Sequence, residues 1–298
     1  MLEPYDRHRT EAIMPESWLR ASAALFFAML LVACAPTASN SGAEPQSSRT
    51  PAGMARTFEV DVNGHVLRGG CRGAREPDQP AVILLSGLGS PGSQLSIIEH
   101  GLRDAALVCT YDRAGVGNSD PATGPSTFED AVEDFAAVLA GADIAPPYII
   151  VGQSVGGTIA LRYAQLHPQN VSGFVAMTPG PPATAYEARA AAVETPDELQ
   201  TVEIDFNNGA NEEGMNFRST DLILDEPFPA TVPYVVMYAE NCEGDFCDRI
   251  RPVLAAAMGE LAHLGDGRFV AVEGAGHEIF QTNLDDVLAE VRSLLPAA

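Results

Sequence analysis

A serine flanked by glycines lies near the middle of the chain, in the segment Gly152-Gln-Ser-Val-Gly156. The β-branched run that starts at Tyr148 has the length of a buried strand, and the residues after Gly157 have helical spacing. A serine at such a turn is exposed above a sheet edge, at the positive end of the next helix, where it can act as a nucleophile. The same pattern also fits an ordinary glycine-rich turn, and Ser154 needs a neighbouring base to become reactive.

The base for this serine has to come from one of six histidines. His277 follows a predicted strand, in the segment Gly274-Ala-Gly-His277, where glycines let the ring approach another backbone. It is well placed to accept the proton of Ser154 and to return it to a leaving group. We expect His65, next to a predicted turn, on the surface of a strand. The remaining histidines are interpreted as leader, surface or packing residues: His8, His100, His167 and His263.

The elements that must position Ser154 and His277 alternate between strands and helices from about residue 57. Strands are predicted at 58–62, 65–71, 81–85, 107–111, 148–153, 171–177, 233–238 and 268–272. Helices are predicted at 128–142, after residue 157, at 248–264 and at 283–295. This alternation predicts an α/β fold with a doubly wound, mostly parallel sheet and helices on both faces. Reacting groups of such sheets lie on loops beyond the carboxyl ends of the strands.

Residues 181–232, called the insert below, interrupt this alternation. They contain an alanine-rich stretch with helical spacing at 185–193, followed by turns rich in asparagine and glycine. A long segment of this kind within a compact domain predicts a small lid over a functional site. We expect substrate selection to depend mainly on the insert.

Taken together, these segments resemble the α/β-hydrolase superfamily over residues 57–298, which we take as one domain. The resemblance depends on Tyr111-Asp-Arg-Ala-Gly-Val-Gly-Asn-Ser119, Gly152-Gln-Ser-Val-Gly156 and Gly276-His277. These segments have the order and spacing of that family. The resemblance therefore implies a doubly wound α/β-hydrolase sheet and a catalytic triad in the chain order serine, acid, histidine.

The resemblance also implies an oxyanion hole, a pair of N–H groups that binds the charged oxygen of a tetrahedral intermediate. One donor is Val155, the residue after the nucleophile. The family's His-Gly-x-Gly loop reads Ser86-Gly-Leu-Gly89 in this chain. Leu88 is accordingly the second predicted donor.

The acid of the triad is where the chain departs from the family pattern. The family's Gly-x-x-Asp reads Ala239-Glu-Asn-Cys242, so that a cysteine occupies the aspartate position. We expect Glu243 to be the acid, ahead of Asp245 and Glu240, although all three also fit solvated loop charges. The alternative position after Met177 offers no carboxylate.

The first 33 residues are typical of a signal peptide. Arginines precede an apolar run at 21–33, which is shorter than the ~20 residues of a membrane span. Leu31-Val-Ala-Cys34 resembles the lipobox of bacterial lipoproteins, which implies a lipid anchor on Cys34 and attachment to a membrane of the cell envelope. Plain secretion is the alternative, with cleavage at an A-x-A-like site. Residues 34–56, rich in proline and serine, indicate a flexible linker.

Five cysteines are consistent with export, because four remain when Cys34 is set aside. Cys71 and Cys109 are expected on neighbouring strands and Cys242 is close to Cys247, so two disulfides are plausible. Zinc is the alternative, but the spacing lacks paired C-x-x-C motifs. No metal and no cofactor are predicted, since the loop at 112–120 lacks the third glycine of a dinucleotide-binding fingerprint.

The formal net charge of −23, with 17 basic residues that are all arginine, argues against nucleic acid and anionic lipid head groups as electrostatic partners. The leading hypothesis is hydrolysis of a carboxylic ester in a small-molecule acyl substrate, through an acyl-enzyme on Ser154. Amides, thioesters, peptides and lactones remain open as substrates. The alternative hypothesis is a non-catalytic envelope lipoprotein that keeps the fold for binding. The oligomeric state is left open.

Overall fold

The computed structural model describes residues 55–241 and 245–296, except for the side chains of residues 202–204, 246 and 247. The predicted signal peptide, most of the predicted linker, and Cys34, Cys242 and Glu243 lie outside the described residues. The strands are β1 (Arg56–Val62), β2 (His65–Arg72), β3 (Ala81–Leu85), β4 (Val108–Asp112), β5 (Ser126–Thr127), β6 (Tyr148–Gln153), β7 (Val171–Met177), β8 (Met215–Asn216), β9 (Tyr234–Ala239) and β10 (Arg268–Val272).

The α-helices are α1 (Ser96–Leu102), α2 (Phe128–Gly141), α3 (Val155–Leu166), α4 (Ala183–Ala190), α5 (Pro196–Glu198), α6 (Leu222–Asp225), α7 (Asp245–His263), α8 (Ile279–Thr282) and α9 (Leu284–Leu294). Short 3-10 turns occur at Gly92–Leu95, Pro168–Asn170 and Arg218–Asp221, and a π-helical turn at Leu199–Asp205. Helix α2 begins with a capping box between Thr127 and Asp130.

An eight-stranded sheet forms the centre of the described structure, in the order β1-β2-β4-β3-β6-β7-β9-β10. Strand β2 pairs antiparallel with both of its neighbours, whereas every pairing from β4 to β10 is parallel. The β1–β2 hairpin turns at Asn63 and Gly64, which both have positive φ. This arrangement confirms the predicted mostly parallel α/β sheet.

Helices cover both faces of the sheet, which explains why its central strands are apolar at successive positions. Ile149 and Val151 of β6 belong to a core that includes buried residues of α1 and α9. Ile150, between them, belongs to the opposite core, which α2, α3 and α7 complete. The alternation along β6 therefore buries every one of its side chains.

The predicted disulfide between Cys71 and Cys109 is present. The two residues are direct partners in the register of β2 and β4, so that the bridge joins neighbouring strands. The second predicted bridge involves Cys242, which is outside the described residues.

The prediction that His65 is a surface residue was wrong. His65 is buried, and its Nε2 lies 3.1 Å from Oδ2 of Asp134 on α2. The reason is topological: β2 is not an edge strand but lies between β1 and β4, under a helix layer. Burial raises the pKa of the Asp134 carboxyl, and the hydrogen bond with His65 acts in the opposite direction.

The insert folds into short elements and does not extend the main sheet. Its predicted helix at 185–193 is α4, which starts and ends a few residues earlier. Strand β8 of the insert pairs in parallel with β5, just before α2. Arg162 of α3 binds Glu129 of α2 at 2.9 Å and Glu226 of the insert at 3.2 Å. The insert is thereby connected to the helices that flank the central strands.

Candidate active site

Ser154 occupies a strained turn between β6 and α3. Its backbone angles are φ 52° and ψ −122°, outside the regions that a serine normally adopts. The turn is held by a 2.9 Å hydrogen bond from the Ser154 N–H to the carbonyl oxygen of Met177. The hydroxyl does not cap α3, so that it is not engaged by the helix that it precedes.

The glycines around Ser154 are required by close packing of the backbone. A Cβ atom on Gly152 would lie 2.2 Å from the carbonyl oxygen of Gly156. A Cβ atom on Gly87, in the loop after β3, would lie 2.0 Å from Oε1 of Gln153. Because no side chain fits at these positions, the loop after β3 can lie directly against the serine turn.

Ser154 and His277 line one cavity of about 340 Å³, and the two predicted oxyanion donors, Leu88 and Val155, line it as well. The first and last of these four residues, Leu88 and His277, are more than 180 positions apart in the sequence, and the structure brings them to the same cavity. In the described part of the chain, neither the Leu88 N–H nor the Val155 N–H has an intramolecular hydrogen-bond acceptor. Both amides are therefore available to a ligand oxygen.

His277 is an exposed residue in the segment between β10 and α8, and it lines the cavity. Desolvation by the surrounding protein lowers the pKa of its imidazole, and the nearby charge of Glu278 raises that pKa in part. The ring is consequently neutral, and able to accept a proton, around pH 7. Ser154 and His277 form no hydrogen bond with each other in this structure, which is common before a substrate draws catalytic groups together.

The three candidate acids have different positions. Glu243 lies outside the described residues. The side chain of Asp245 is almost fully exposed and lies 3.5 Å from Arg249. Glu240 is exposed at the end of β9, and its N–H donates to the carbonyl oxygen of Val272. Within the described residues, no carboxylate forms a hydrogen bond with His277.

Half of the described residues that line the cavity belong to the insert, whose contacts the sequence did not predict. Phe206 and Phe217 stack with their ring centroids 5.7 Å apart. Leu254 of α7 completes the apolar wall. The other lining residues are Thr158, Gly180, Pro181, Ala183, Tyr186, Asn207 and Thr220. Apart from His277 and Tyr186, none of the described lining residues has an ionisable side chain, so that this part of the cavity suits a neutral, apolar group.

Among the described residues, no group of three or more histidine, cysteine, aspartate or glutamate side chains is arranged to hold a metal ion. None of the helices within 55–241 and 245–296 is both long enough and apolar enough to cross a membrane.

Comparison with known proteins gives a consistent assignment of the fold. A family model described as the α/β hydrolase fold matches residues 80–222. The putative carbamate hydrolase RutD of Yersinia enterocolitica is 36% identical over 115 residues, which are 37% of this chain and 39% of that protein. The stretches that match curated relatives span between 14% and 39% of the length of those relatives.

Solved structures are similar over most of the chain. The enol-lactonase of Burkholderia xenovorans LB400 has a TM-score of 0.58 at 20% identity, over 80% of this chain and 99% of that one. A thermophilic esterase from Thermogutta terrifontis has a TM-score of 0.56 at 16% identity, over 80% of this chain and 97% of that one. At sequence identities this low, the similarity shows a shared fold and nothing more.

Proposed function

We propose that this chain, which has the α/β-hydrolase fold, hydrolyses carboxylic esters of small molecules through an acyl-enzyme on Ser154. The observation that carries the proposal is the shared cavity, where Ser154 at a strained turn meets His277 and two free backbone N–H groups. Strain of this kind persists only where the surrounding structure enforces it, and it is concentrated at functional sites.

In the proposed reaction, Oγ of Ser154 attacks the carbonyl carbon of the ester while His277 accepts the hydroxyl proton. The intermediate collapses, the bond to the alcohol oxygen breaks, and His277 gives the proton to the departing alcohol. A water molecule, deprotonated by the same imidazole, then attacks the acyl group on Ser154. The acid is released and the serine is regenerated.

The N–H groups of Leu88 and Val155 would bind the carbonyl oxygen as it becomes negatively charged. Val155 is the first residue of α3, so the positive end of that helix adds to the attraction. Loss of one such donor typically costs about 3 kcal/mol in the free energy of the transition state. Glu243 is the proposed acid that orients His277.

The chemistry of the cavity favours a neutral acyl or alkyl group. Among the residues that the structure describes, the aromatic and aliphatic walls offer no cation to a substrate carboxylate. A charged group placed there would lose its hydration without gaining a partner, which costs several kcal/mol. The comparison proteins include an esterase, an enol-lactonase and a putative carbamate hydrolase. Their names support hydrolysis of an acyl bond, but they do not indicate which type of acyl bond this chain cleaves.

A fluorophosphonate probe and p-nitrophenyl esters test the proposal. We expect the probe to label the wild type and not Ser154→Ala, and the ester kcat of Ser154→Ala to fall at least about a thousandfold. Ser293→Ala is the matched control and should behave as the wild type, because Ser293 is an exposed serine of α9 whose hydroxyl donates to the carbonyl oxygen of Glu290. Absence of labelling in the wild type would overturn the catalytic proposal in favour of a binding protein.

We further propose that the mature protein is a lipoprotein of the cell envelope, anchored through Cys34. The Cys71–Cys109 disulfide supports an oxidising compartment, because such bridges are rare in a reducing cytosol. Mass spectrometry of protein purified from membranes should find an acylated cysteine at the mature N-terminus. An N-terminus cleaved elsewhere and free of lipid would instead indicate secretion.

A further inference from the structure

A buried arginine lies next to the loop that supplies the proposed oxyanion donor. Arg113 follows β4 and is almost completely buried. Its guanidinium donates to the carbonyl oxygen of Ser86 at 2.7 Å and to that of Gly87 at 2.6 Å. Two consecutive carbonyl groups of the loop are thus held by one rigid, planar cation.

The second of these carbonyls belongs to the peptide that carries the Leu88 N–H. In a trans peptide the C=O of Gly87 and the N–H of Leu88 point in opposite directions within one plane. Fixing the oxygen on Arg113 therefore fixes the direction of the N–H. A cationic donor on the oxygen also polarises the peptide, which makes its N–H a better hydrogen-bond donor.

The charge of Arg113 is balanced by Glu213 of the insert. Its Oε1 accepts from Arg113 at 2.6 Å and its Oε2 at 3.0 Å, with both side chains at most 4% exposed. The same carboxylate accepts the N–H of Gly89 at 2.7 Å. Leu88 is thereby enclosed between Gly87, held by Arg113, and Gly89, held by Glu213.

From this geometry we propose that Arg113 and Glu213 are positioning residues that orient the Leu88 N–H as oxyanion donor. The insert then contributes to the oxyanion hole as well as to the substrate cavity. The expected effect on catalysis rests on the proposed ester hydrolysis. The expected orientation of the Leu88 amide does not depend on that proposal. The alternative is a purely structural ion pair that stabilises the domain without affecting this amide.

The chain contains a convenient label for the amide in question. Glycine is followed by leucine at two places, Gly87-Leu88 and Gly101-Leu102. Protein labelled with ¹³C-carbonyl glycine and ¹⁵N-leucine therefore gives two amide signals in a carbonyl-selected NMR spectrum, and Leu88→Ala identifies the first. Leu102 is the last residue of α1 and belongs to the core on the other face of the sheet from Leu88, so that its signal serves as an internal control.

The test compares Glu213→Gln with Glu212→Gln, which removes the same charge from an exposed neighbour. We expect Glu213→Gln to shift or broaden the Leu88 signal and to leave the Leu102 signal in place, while Glu212→Gln changes neither. An unchanged Leu88 signal, or equal changes in both signals, would overturn the proposal. If Glu213→Gln does not fold, the apolar pair Arg113→Met with Glu213→Leu replaces it, because buried ion pairs often tolerate such exchange.

Kinetics provide the second readout. With p-nitrophenyl butyrate, Glu213→Gln should lower kcat roughly 10- to 100-fold and change KM less than about threefold, since misplacing a donor by about 1 Å costs this much. An unchanged kcat, or a loss confined to KM, would contradict the positioning role. A wild type inactive on all esters would instead overturn the proposed function, and the Leu88 signal would still decide the orientation of the amide.

Discussion

A Cβ atom on Gly156 would lie 2.2 Å from the carbonyl oxygen of Leu85, the last residue of β3. The carbonyl oxygen of Ser86 would be only 2.7 Å away. The first turn of α3 therefore rests directly on the end of the neighbouring strand. This contact brings the serine turn against the loop that begins at Ser86, and it depends on the absence of a side chain.

Gly156→Ala should accordingly separate these two segments. We expect the free energy of unfolding to fall by about 1–3 kcal/mol or more, and kcat to fall with it, because the backbone must move to admit the methyl group. Gly259→Ala is the control, since α7 leaves open space at that position and alanine is the better helix former by about 1 kcal/mol. Urea unfolding should show a loss for the first variant and none for the second.

Glu243→Gln should lower kcat at least about a hundredfold, because without the carboxylate His277 loses its orientation and the stabilisation of its charged form. Asp245→Asn and Glu240→Gln should stay within about threefold of the wild type, since both side chains are exposed in this structure. Steady-state kinetics on p-nitrophenyl butyrate compares the three. A large loss in Asp245→Asn with none in Glu243→Gln would assign the acid to Asp245.

The pH dependence of kcat/KM should reflect the lowered pKa of His277. The base acts in its neutral form, so activity should be lost as the pH falls through the pKa of His277, which desolvation lowers and the charge of Glu278 raises. Glu278→Gln removes a charge that raises this pKa, and should move the midpoint to still lower pH. An unchanged midpoint, or a shift in the opposite direction, would contradict this description of the site.

Substrate preference should follow the lining of the cavity. We expect kcat/KM for the anionic p-nitrophenyl hemisuccinate to be at least about tenfold below that for the neutral butyrate, since no cation compensates the carboxylate. Phe217→Ala should reduce kcat/KM for hexanoate more than for acetate. Phe269→Ala, a half-exposed phenylalanine outside the cavity, should have no such effect. Equal rates on charged and neutral esters would show that the acyl group binds elsewhere.

The central strands were predictable because burial on both faces gives them continuous apolar runs. The observed bounds of β7 and β10 coincide with the predicted ones, and β4 and β9 differ by one residue at each end. Helix α1 was not predicted, since its seven residues are too few for a clear periodicity. The prediction that His65 lies on the surface failed for another reason. The order of the strands in the sheet is not encoded in the local sequence pattern of β2.

The glycine-flanked turns were sufficient to select Ser154 and His277 as candidate site residues, whereas Leu88 and Val155 were selected by the resemblance to the α/β-hydrolase superfamily. It contained no local signal for Glu213. That residue lies in a polar stretch of the insert, and its role arises only where it meets Arg113, one hundred positions earlier in the chain.

What the sequence by itself determined is therefore the alternation of strands and helices, and the glycine-rich turns on which Ser154 and His277 lie. Both follow from interactions between residues close in the chain. The tertiary structure decided which walls enclose the cavity, which carboxylate neutralises the buried Arg113, and how the Leu88 amide is held. These features depend on contacts between distant segments, where packing and desolvation, rather than local spacing, select the partners.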